Sequence, residues 1–169
     1  ETDAIIHVLR CFEDGNIVHV DGSVDPVRDK EVIDVELQLK DLESIDKRIS
    51  TISRQVKSGD KDIVKEHDLA LRIKSTLEAG NSIRSMDFDE REDEIVKSFQ
   101  LITSKPVMYL CNVDESSVKD GNKHVAAVKE AVKNEDAEVL VIGAAIEADI
   151  IELDTYDERQ MFLDELGLE

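Results

Sequence analysis

A long run of apolar residues spaced three and four apart constrains the fold more than any other feature of this sequence. Such spacing places the side chains on one side of an α-helix, here about 24 residues or ~36 Å long. The members are Val32, Val35, Leu39, Leu42, Ile45, Ile49, Ile52 and Val56. One helix cannot bury this row of apolar residues, called the seam below, against itself. A second helix predicted over 61–78, after a turn at 58–62, provides a partner, so we expect an antiparallel helical hairpin.

Three apolar runs typical of buried strands lie outside this helical region. The first covers Asp3–Arg10, the second 106–113 and the third 138–145. Each run is apolar throughout rather than alternating with polar residues, which is the pattern of strands covered on both faces. The second and third runs are separated by a segment with helical spacing, 122–135. Strands alternating with helices predict an α/β fold with a parallel sheet.

Capping signals predict two further helices. Asp87 and Glu90 have the spacing of a capping box at the start of a helix that leads into the second strand. Thr155 and Glu158 have the same spacing near the end of the chain. The second of these helices is expected to stop at Gly167, since glycine readily adopts the left-handed conformation that ends helices.

The composition narrows the classes of protein to which this chain can belong. It has 169 residues, of which 41% are apolar, and 40 acids against 21 bases give a net charge of -19. A surface this acidic repels phosphate, so direct binding of nucleic acid by this chain is not expected. No apolar run reaches the roughly 18 residues that span a bilayer. The two cysteines show no zinc spacing and form no disulfide framework, so we expect no metal site, no membrane partner and a cytoplasmic location.

Polar residues follow two of the predicted strands where each strand ends. The second strand runs into Asn112-Val113-Asp114-Glu115, and the third ends at 144–147, Ala-Ala-Ile-Glu. Parallel strands end at the same edge of a sheet, where ligands bind in α/β proteins. Adjacent loops offering an amide, acids and free backbone N–H groups could form a socket for a heterocyclic base. The alternative is a simple turn, because Asn and Asp are common turn formers at strand ends.

Three separated segments resemble the Obg-like ATPase family, the YchF type within the P-loop GTPase class. They are RCFEDGNIVHVDGSVDP, KPVMYLCNVDE and GAAIEADIIELDTYDERQMFLDELGLE, and the resemblance spans the whole chain. It implies that residues 1–28 and 84–169 are the C-terminal half of a Ras-like nucleotide-binding domain with a parallel sheet. It also implies that 29–83 is an inserted helical coiled-coil arm, and that the family's TGS domain is not in this sequence.

The resemblance also implies which residues read the base. GTPases recognise guanine with NKxD, and the matching segment here is NVDE, with Asn112 kept, Val113 in place of the Lys and Glu115 in place of the Asp. This departure implies that ATP is preferred over GTP, because adenine has no ring N–H for a carboxylate and an amide pairs with adenine. Val113 would add an apolar wall. Ala145 and Ile146 resemble the loop whose backbone N–H groups meet the base from the other side.

His19, in the segment NIVHV, resembles the family's mobile histidine near the γ-phosphate. The resemblance implies a catalytic role in orienting the attacking water, where Ras-type enzymes use glutamine. From the residues alone, a histidine within an apolar segment is more often a half-buried packing residue. Both interpretations stay open.

The family's phosphate loop, GxxxxGK[ST], does not occur here, since none of the seven glycines has that spacing. The chain also starts without Met and almost directly in a strand, so we interpret it as a piece of a longer protein. The resemblance implies that Mg²⁺ binds with ATP or GTP in the intact protein, whereas this piece binds no cofactor tightly and is inactive alone.

A second hypothesis makes the chain a non-catalytic interaction module. The family is associated with ribosomes and translation, which implies a ribosomal partner or another protein docked on the acidic helical hairpin. A basic patch of Arg48, Arg54, Lys57 and Lys61 near the hairpin tip is one candidate contact. Ordinary solvated helix charges explain these four residues equally well.

Overall fold

The computed structural model describes residues 2–15 and 22–167 of the chain. The chain divides into two compact units. One, the helical unit, contains Glu1–Ile5 and Glu31–Pro106, and the other, the sheet unit, contains Ile6–Lys30 and Val107–Glu169. The helical unit therefore extends beyond the predicted 29–83 segment and includes the residues up to the start of the second strand.

Three helices make up most of the helical unit, and the first of them begins in the sheet unit. They are α1 (Pro26–Ile52), α2 (Lys61–Glu78) and α3 (Glu90–Phe99). The predicted bounds of the second helix are confirmed. The Asp60 side chain accepts a hydrogen bond from the Asp62 N–H and so caps the start of α2. Gly59 precedes it in the left-handed conformation, with φ 76°.

Contacts between α1 and α2 show that the two helices run antiparallel. The Gln38 amide donates to the Gly80 carbonyl at 3.3 Å, whereas Arg48, ten positions later, contacts the earlier residue Glu66 with its Nε at 2.8 Å. The shared apolar core also includes residues of α3 and of its flanking loops. Its fully buried members are Ile45, Leu69, Ala70, Ile73, Leu77, Ile83, Val96 and Leu101.

The predicted seam of α1 is only half correct. Ile45 and Ile52 are buried, but Val32, Val35 and Leu39 are more than half exposed. The reason is length: α1 has 27 residues and α2 has 18, so α2 runs out opposite Gln38. Among the described residues of the helical unit, no helix covers the first turns of α1.

The start of α3 also differs from the prediction. The capping box uses Asp89 and Glu92, rather than Asp87 and Glu90. Both frames satisfy the same local pattern in the acidic segment DFDERE, so the pattern cannot choose between them. Phe88 packs against the core of the helical unit, which delays the start of the helix to Glu90.

Three parallel strands form the sheet in the order β1, β2, β3. They are β1 (Ile5–Arg10), β2 (Val107–Asn112) and β3 (Glu138–Ile142). Hydrogen bonds from Ile5 N to Pro106 O and from Cys11 N to Asn112 O run in the same direction along β1 and β2. The predicted α/β class and parallel sheet are confirmed. Cys11 and Cys111 are free and buried.

Three α-helices lie wholly within the described part of the sheet unit. They are α4 (Lys123–Ala131), α5 (Ala144–Glu152) and α6 (Tyr156–Leu166). The predicted capping box of Thr155 and Glu158 is confirmed at the start of α6, and Gly167 ends that helix with φ 67°. The predicted extension of the third strand to residue 145 is wrong, because β3 stops at Ile142 and α5 begins two residues later.

One face of the sheet is open in the described part of the sheet unit. Ile6 and Val8 on β1 and Leu140 on β3 are each half or more exposed. The prediction that the sheet is covered on both faces therefore fails for the residues that the structure describes. No helix among those residues has the length and apolar character that crossing a membrane requires.

An ion pair made by the buried Lys30 connects the start of α1 to the rest of the sheet unit. Lys30 Nζ lies 2.8 Å from Glu135 Oε1, and the Tyr109 hydroxyl donates to Glu135 Oε2 at 2.6 Å. Lys30 also lies over the Tyr109 ring, 5.3 Å from its centroid. The pairing matters because a buried lysine without a partner is costly.

Candidate functional site

The ends of β2 and β3 bring two loops together at the carboxyl edge of the sheet. Asn112 and Ile142 are the last register pair of these strands. The Val113 N–H then donates to the Ile142 carbonyl at 2.8 Å, so the backbone contact continues past the strand ends. The segments 112–115 and 144–147 therefore start side by side. Their predicted adjacency is confirmed.

Asn112 connects these two loops through its side chain. Its Oδ1 accepts a hydrogen bond from the Ala144 N–H at 3.0 Å. Because a backbone N–H can only donate, this contact fixes the orientation of the amide, with Nδ2 on the other side. Nδ2 has no hydrogen-bond partner among residues 2–15 and 22–167. The amide therefore offers two N–H donors to an acceptor on a ligand.

The first turn of α5 supplies further donors beside Asn112. Gly143 precedes the helix and has no side chain to cap it, while the Glu147 N–H already bonds to the Gly143 carbonyl at 3.0 Å. The N–H groups of Ala145 and Ile146 have no acceptor in the described part of the chain. Free N–H groups at a helix start carry a partial positive charge and favour ligand acceptors.

Gly143 is the residue that lets the two loops approach so closely. A Cβ at this position would lie 2.6 Å from Val118 Cγ2 and 3.1 Å from Ile146 Cδ1. The first of these distances is well inside van der Waals contact. A side chain at this position would force Val118 or Ile146 to move. The role of Gly143 was not predicted, because nothing in the local pattern GAAIE shows what packs against it.

Val113 is 3% exposed and packs in the core of the sheet unit. Its role as an apolar wall for a base stays a prediction. What Val113 contributes to the edge is the backbone hydrogen bond to Ile142.

The two acids after Val113 behave differently. Hydrogen bonds from Ser116 and then Ser117 hold the pKa of Asp114 below its ordinary value, and the Ser116 hydroxyl lies 2.7 Å from Asp114 Oδ1. Asp114 is thus a turn former, as the alternative interpretation of this segment held. Glu115 starts a short 3₁₀ helix, Glu115–Ser117, and its side chain is exposed.

Asn122 is a positioning residue that sequence reasoning identified only as part of a helix. Its Oδ1 accepts from the N–H groups of His124 and Val125 and caps α4. Its Nδ2 donates to the Cys11 carbonyl at 2.7 Å, 111 residues away. The cap has a local sequence signal, but the second bond, which fixes the exit of β1 against α4, has none.

Two expectations concern groups outside this edge. His19 lies in 16–21, outside the described residues, so its position is not part of the site geometry. Among the described residues, no group of three or more His, Cys, Asp or Glu side chains is placed to hold a metal ion.

Comparisons with known proteins agree with the motifs quoted above. No protein-family model matches the chain. It is 45% identical over 171 residues to the ribosome-binding ATPase YchF of Bacillus subtilis, and 40% identical over 169 residues to that of Escherichia coli O157:H7. An Obg-like ATPase 1 from Oryza sativa subsp. indica is 40% identical over 141 residues, which are 82% of this chain and 36% of that protein.

A solved structure shows the same relationship. The structure of the Schizosaccharomyces pombe YchF GTPase matches with a TM-score of 0.85 at 30% identity and covers 99% of this chain. The resemblance to the Obg-like ATPase family is thus confirmed. The chain covers 46% of each bacterial relative named above and 46% of the yeast chain, so it spans about half the length of the proteins it matches.

Proposed function

We propose that this chain, which is 45% identical to a YchF ATPase along its whole length, is the base-reading half and helical arm of a P-loop nucleoside triphosphatase. The observation that carries the proposal is the Asn112 amide, bonded to the Ala144 N–H beside two free N–H groups of α5. A donor cluster at the carboxyl edge of a parallel sheet is suited to a heterocyclic base.

The donor geometry supports a specific way of reading adenine. Nδ2 of Asn112 donates to the ring nitrogen N7, and the remaining lone pair of Oδ1 accepts from the exocyclic amine. The N–H groups of Ala145 and Ile146 donate to ring nitrogens, which in adenine carry no hydrogen. Glu115 remains in the solvent-exposed turn, so no carboxylate is placed to accept a hydrogen bond from the ring N–H of guanine. ATP is the proposed nucleotide, and its affinity is compared with that of GTP.

Hydrolysis requires groups that this sequence does not contain. The chain has no GxxxxGK[ST] segment, so we propose that phosphates and Mg²⁺ are bound by other residues of a longer protein. His19 is proposed to orient the attacking water near the γ-phosphate. Residues 1–28 and 84–169 are proposed as the nucleotide-domain half and 29–83 as the inserted coiled-coil arm.

The base-reading role of Asn112 predicts a defined loss on removing its donor. Asn112→Asp keeps an oxygen for the Ala144 N–H but replaces the NH₂ group, so the loop holds its position while N7 loses its donor. We expect ATP affinity in the full-length protein to fall about tenfold, equivalent to ~1.4 kcal/mol. Isothermal titration calorimetry with ATP and GTP measures the change.

Asn134→Ala is the matched control, because Asn134 is an exposed amide in the turn before β3. Its ATP affinity is expected to equal that of the wild type. Unchanged ATP affinity in Asn112→Asp would show that the amide does not donate to the base. An equal loss of affinity for ATP and GTP would locate the Asn112 contact at N7, which both purines share. The α5 N–H groups would then determine the preference between the two bases.

His19→Ala tests the catalytic proposal separately from base reading. We expect turnover to fall about tenfold with ATP affinity unchanged, because a water-orienting group acts mainly on the transition state. The measurement is steady-state phosphate release together with a titration of ATP binding. His67→Ala is the control, since His67 lies in the helical unit and bonds to Ser53 at 3.0 Å. A wild-type rate in His19→Ala would assign His19 to packing.

A second candidate function is docking to the ribosome through the helical arm. The relatives from Bacillus subtilis and Escherichia coli O157:H7 are named ribosome-binding ATPases, which favours this partner. A ribosome-bound protein acts in the cytoplasm, which is the proposed location. Nucleotide binding by the sheet edge and docking by the arm use different residues and can coexist.

A further inference from the structure

Three exposed apolar residues in the first half of α1 lie on one side of the helix. Val32, Val35 and Leu39 are 51%, 53% and 57% exposed. Their spacing of three and four residues keeps them within about 60° of one another around the helix axis. We call this set the α1 stripe. Single exposed apolar side chains are ordinary on a protein surface, whereas a contiguous group of them marks a contact site.

The helical unit packs against a different side of α1. Asp41 is 1% exposed and accepts hydrogen bonds from two backbone N–H groups of the loop after α3. At 100° per residue, Asp41 lies about 150° around the helix from the middle of the α1 stripe. Packing within the helical unit therefore leaves the stripe open, and its exposure shows that the described ranges 2–15 and 22–167 do not cover it.

Glutamates flank the α1 stripe. In the seven-residue repeat of a coiled coil, positions a and d contact the partner helix, and here they are occupied by Val32, Val35 and Leu39. The neighbouring e and g positions make the charged contacts with that helix. Three of the four e and g positions between residues 31 and 43 carry exposed glutamates, which are Glu31, Glu36 and Glu43. Lys40 pairs with Glu43 at 3.2 Å, but this contact is exposed and contributes little.

The glutamates argue against a second copy of this chain as the partner. The e and g residues of one helix in a coiled coil face those of the other helix. A second α1 would bring glutamates together whether the two helices ran parallel or antiparallel, and such like-charge contacts are destabilising. A helix with Lys or Arg at the facing positions would instead form ion pairs with all three glutamates.

The size and charged rim of the stripe favour a separate protein over a permanently packed segment of a longer chain. Residues 32–39 cover only ~12 Å of helix, so the contact lies at the small end of protein interfaces. An apolar centre with a polar rim is the arrangement of interfaces whose two sides also exist apart in water. The stripe is therefore suited to a contact that forms and breaks.

We propose that the α1 stripe binds one helix of a partner protein, an amphipathic helix whose apolar face is flanked by Lys and Arg. The apolar face of that helix covers the three stripe residues, and its cations pair with the three flanking glutamates. The proposal does not depend on nucleotide binding, because none of these six residues belongs to the loops at the carboxyl edge of the sheet.

Two synthetic peptides of three heptads test the proposal on the full-length protein. Both have Ile at a and Leu at d, and they differ only at e and g, where one peptide has Lys and the other has Glu. Each peptide carries like charges that oppose pairing with itself. Anisotropy of a fluorescein label measures binding. The Lys peptide is expected to bind about tenfold more tightly than the Glu peptide, and more weakly as salt is added.

A stripe variant and a matched control locate the contact. The stripe variant combines Val32→Gln, Val35→Gln and Leu39→Gln, because glutamine removes the apolar surface and keeps helix propensity. It is expected to bind the Lys peptide about tenfold more weakly than the wild type. The control variant changes three apolar residues of α5 and α6 that are 67% or more exposed, and its affinity should be unchanged. Its substitutions are Ile151→Gln, Tyr156→Gln and Met161→Gln.

A charge-swap variant tests the glutamates independently of the apolar residues. It combines Glu31→Lys, Glu36→Lys and Glu43→Lys, all at exposed positions. This variant should prefer the Glu peptide over the Lys peptide, which reverses the preference of the wild type. An unchanged preference would mean that these glutamates do not face the bound helix, and the proposal would be wrong.

Three further outcomes would also overturn the proposal. If the wild type does not bind the Lys peptide, the stripe is already covered by another part of the protein. If stripe and control variants lose affinity equally, the peptide binds elsewhere. If ultracentrifugation shows a dimeric wild type and a monomeric stripe variant, the partner is a second copy. ATP affinity is measured on the same proteins, and a wild type that binds the Lys peptide but not ATP defeats the nucleotide proposal alone.

Discussion

Asp41→Ala is expected to lower the free energy of unfolding by about 2–5 kcal/mol, the largest effect we anticipate for one substitution. Asp41 lies on α1 and is 1% exposed. One carboxylate oxygen accepts the N–H of Ile102 at 2.7 Å, and the other accepts the N–H of Thr103 at 2.6 Å. Alanine leaves both backbone donors buried without an acceptor, which costs more than an ordinary hydrogen bond contributes.

Urea denaturation followed by circular dichroism measures this effect. Asp41→Asn should lie between wild type and Asp41→Ala, because the amide keeps one acceptor and places an NH₂ group against the second N–H. Asp46→Ala is the surface control on the same helix: Asp46 pairs with Lys74 at 2.7 Å and is half exposed, so little change is expected. A loss below about 1 kcal/mol in Asp41→Ala would show that water replaces the carboxylate.

Gly143→Ala is expected to destabilise the protein by about 2 kcal/mol and to weaken ATP binding as well. The new methyl group would meet Val118 Cγ2 at 2.6 Å, so either Val118 or the start of α5 must move. A shift of α5 displaces the N–H groups of Ala145 and Ile146 and strains the bond from Ala144 to Asn112. Affinity and stability should therefore fall together.

The clash can be tested by making room for the methyl group. In a Val118→Ala background the 2.6 Å contact is gone, and the penalty of Gly143→Ala should shrink by half or more. A double-mutant cycle of unfolding free energies, with ATP affinities on the same four proteins, measures this coupling. Independent, additive effects of the two substitutions would contradict a direct contact as the cause. The 3.1 Å approach to Ile146 Cδ1 remains, so full rescue is not expected.

Elements defined by local signals were predicted well. The bounds of α2 follow from its apolar spacing, and the capping box at Thr155 appears unchanged in the structure. The failures arise where the decisive contact is distant in sequence. The first turns of α1 are exposed because α2 is shorter, and α3 starts two residues late because Phe88 packs on the core.

The same distinction between local and distant contacts applies to the candidate site. The adjacency of the Asn112 and Ala144 loops follows from parallel strands joined by one helix, so the sequence predicts it. The orientation of the Asn112 amide does not follow, because it depends on a bond across 32 residues. Nor does the burial of Val113, since strand periodicity does not show which face is covered at the very end of a strand.

The engagement of Asn112 has a consequence for how a ligand would be admitted. The residue closes the strand pairing with Ile142 and also tethers the first N–H of α5. Moving the two loops apart would break the last hydrogen bonds between β2 and β3 and leave those backbone groups without partners. The two loops are therefore held in a fixed arrangement before any ligand binds. The loops then lose little conformational entropy when a ligand binds, so the shape and polarity of the ligand determine selectivity.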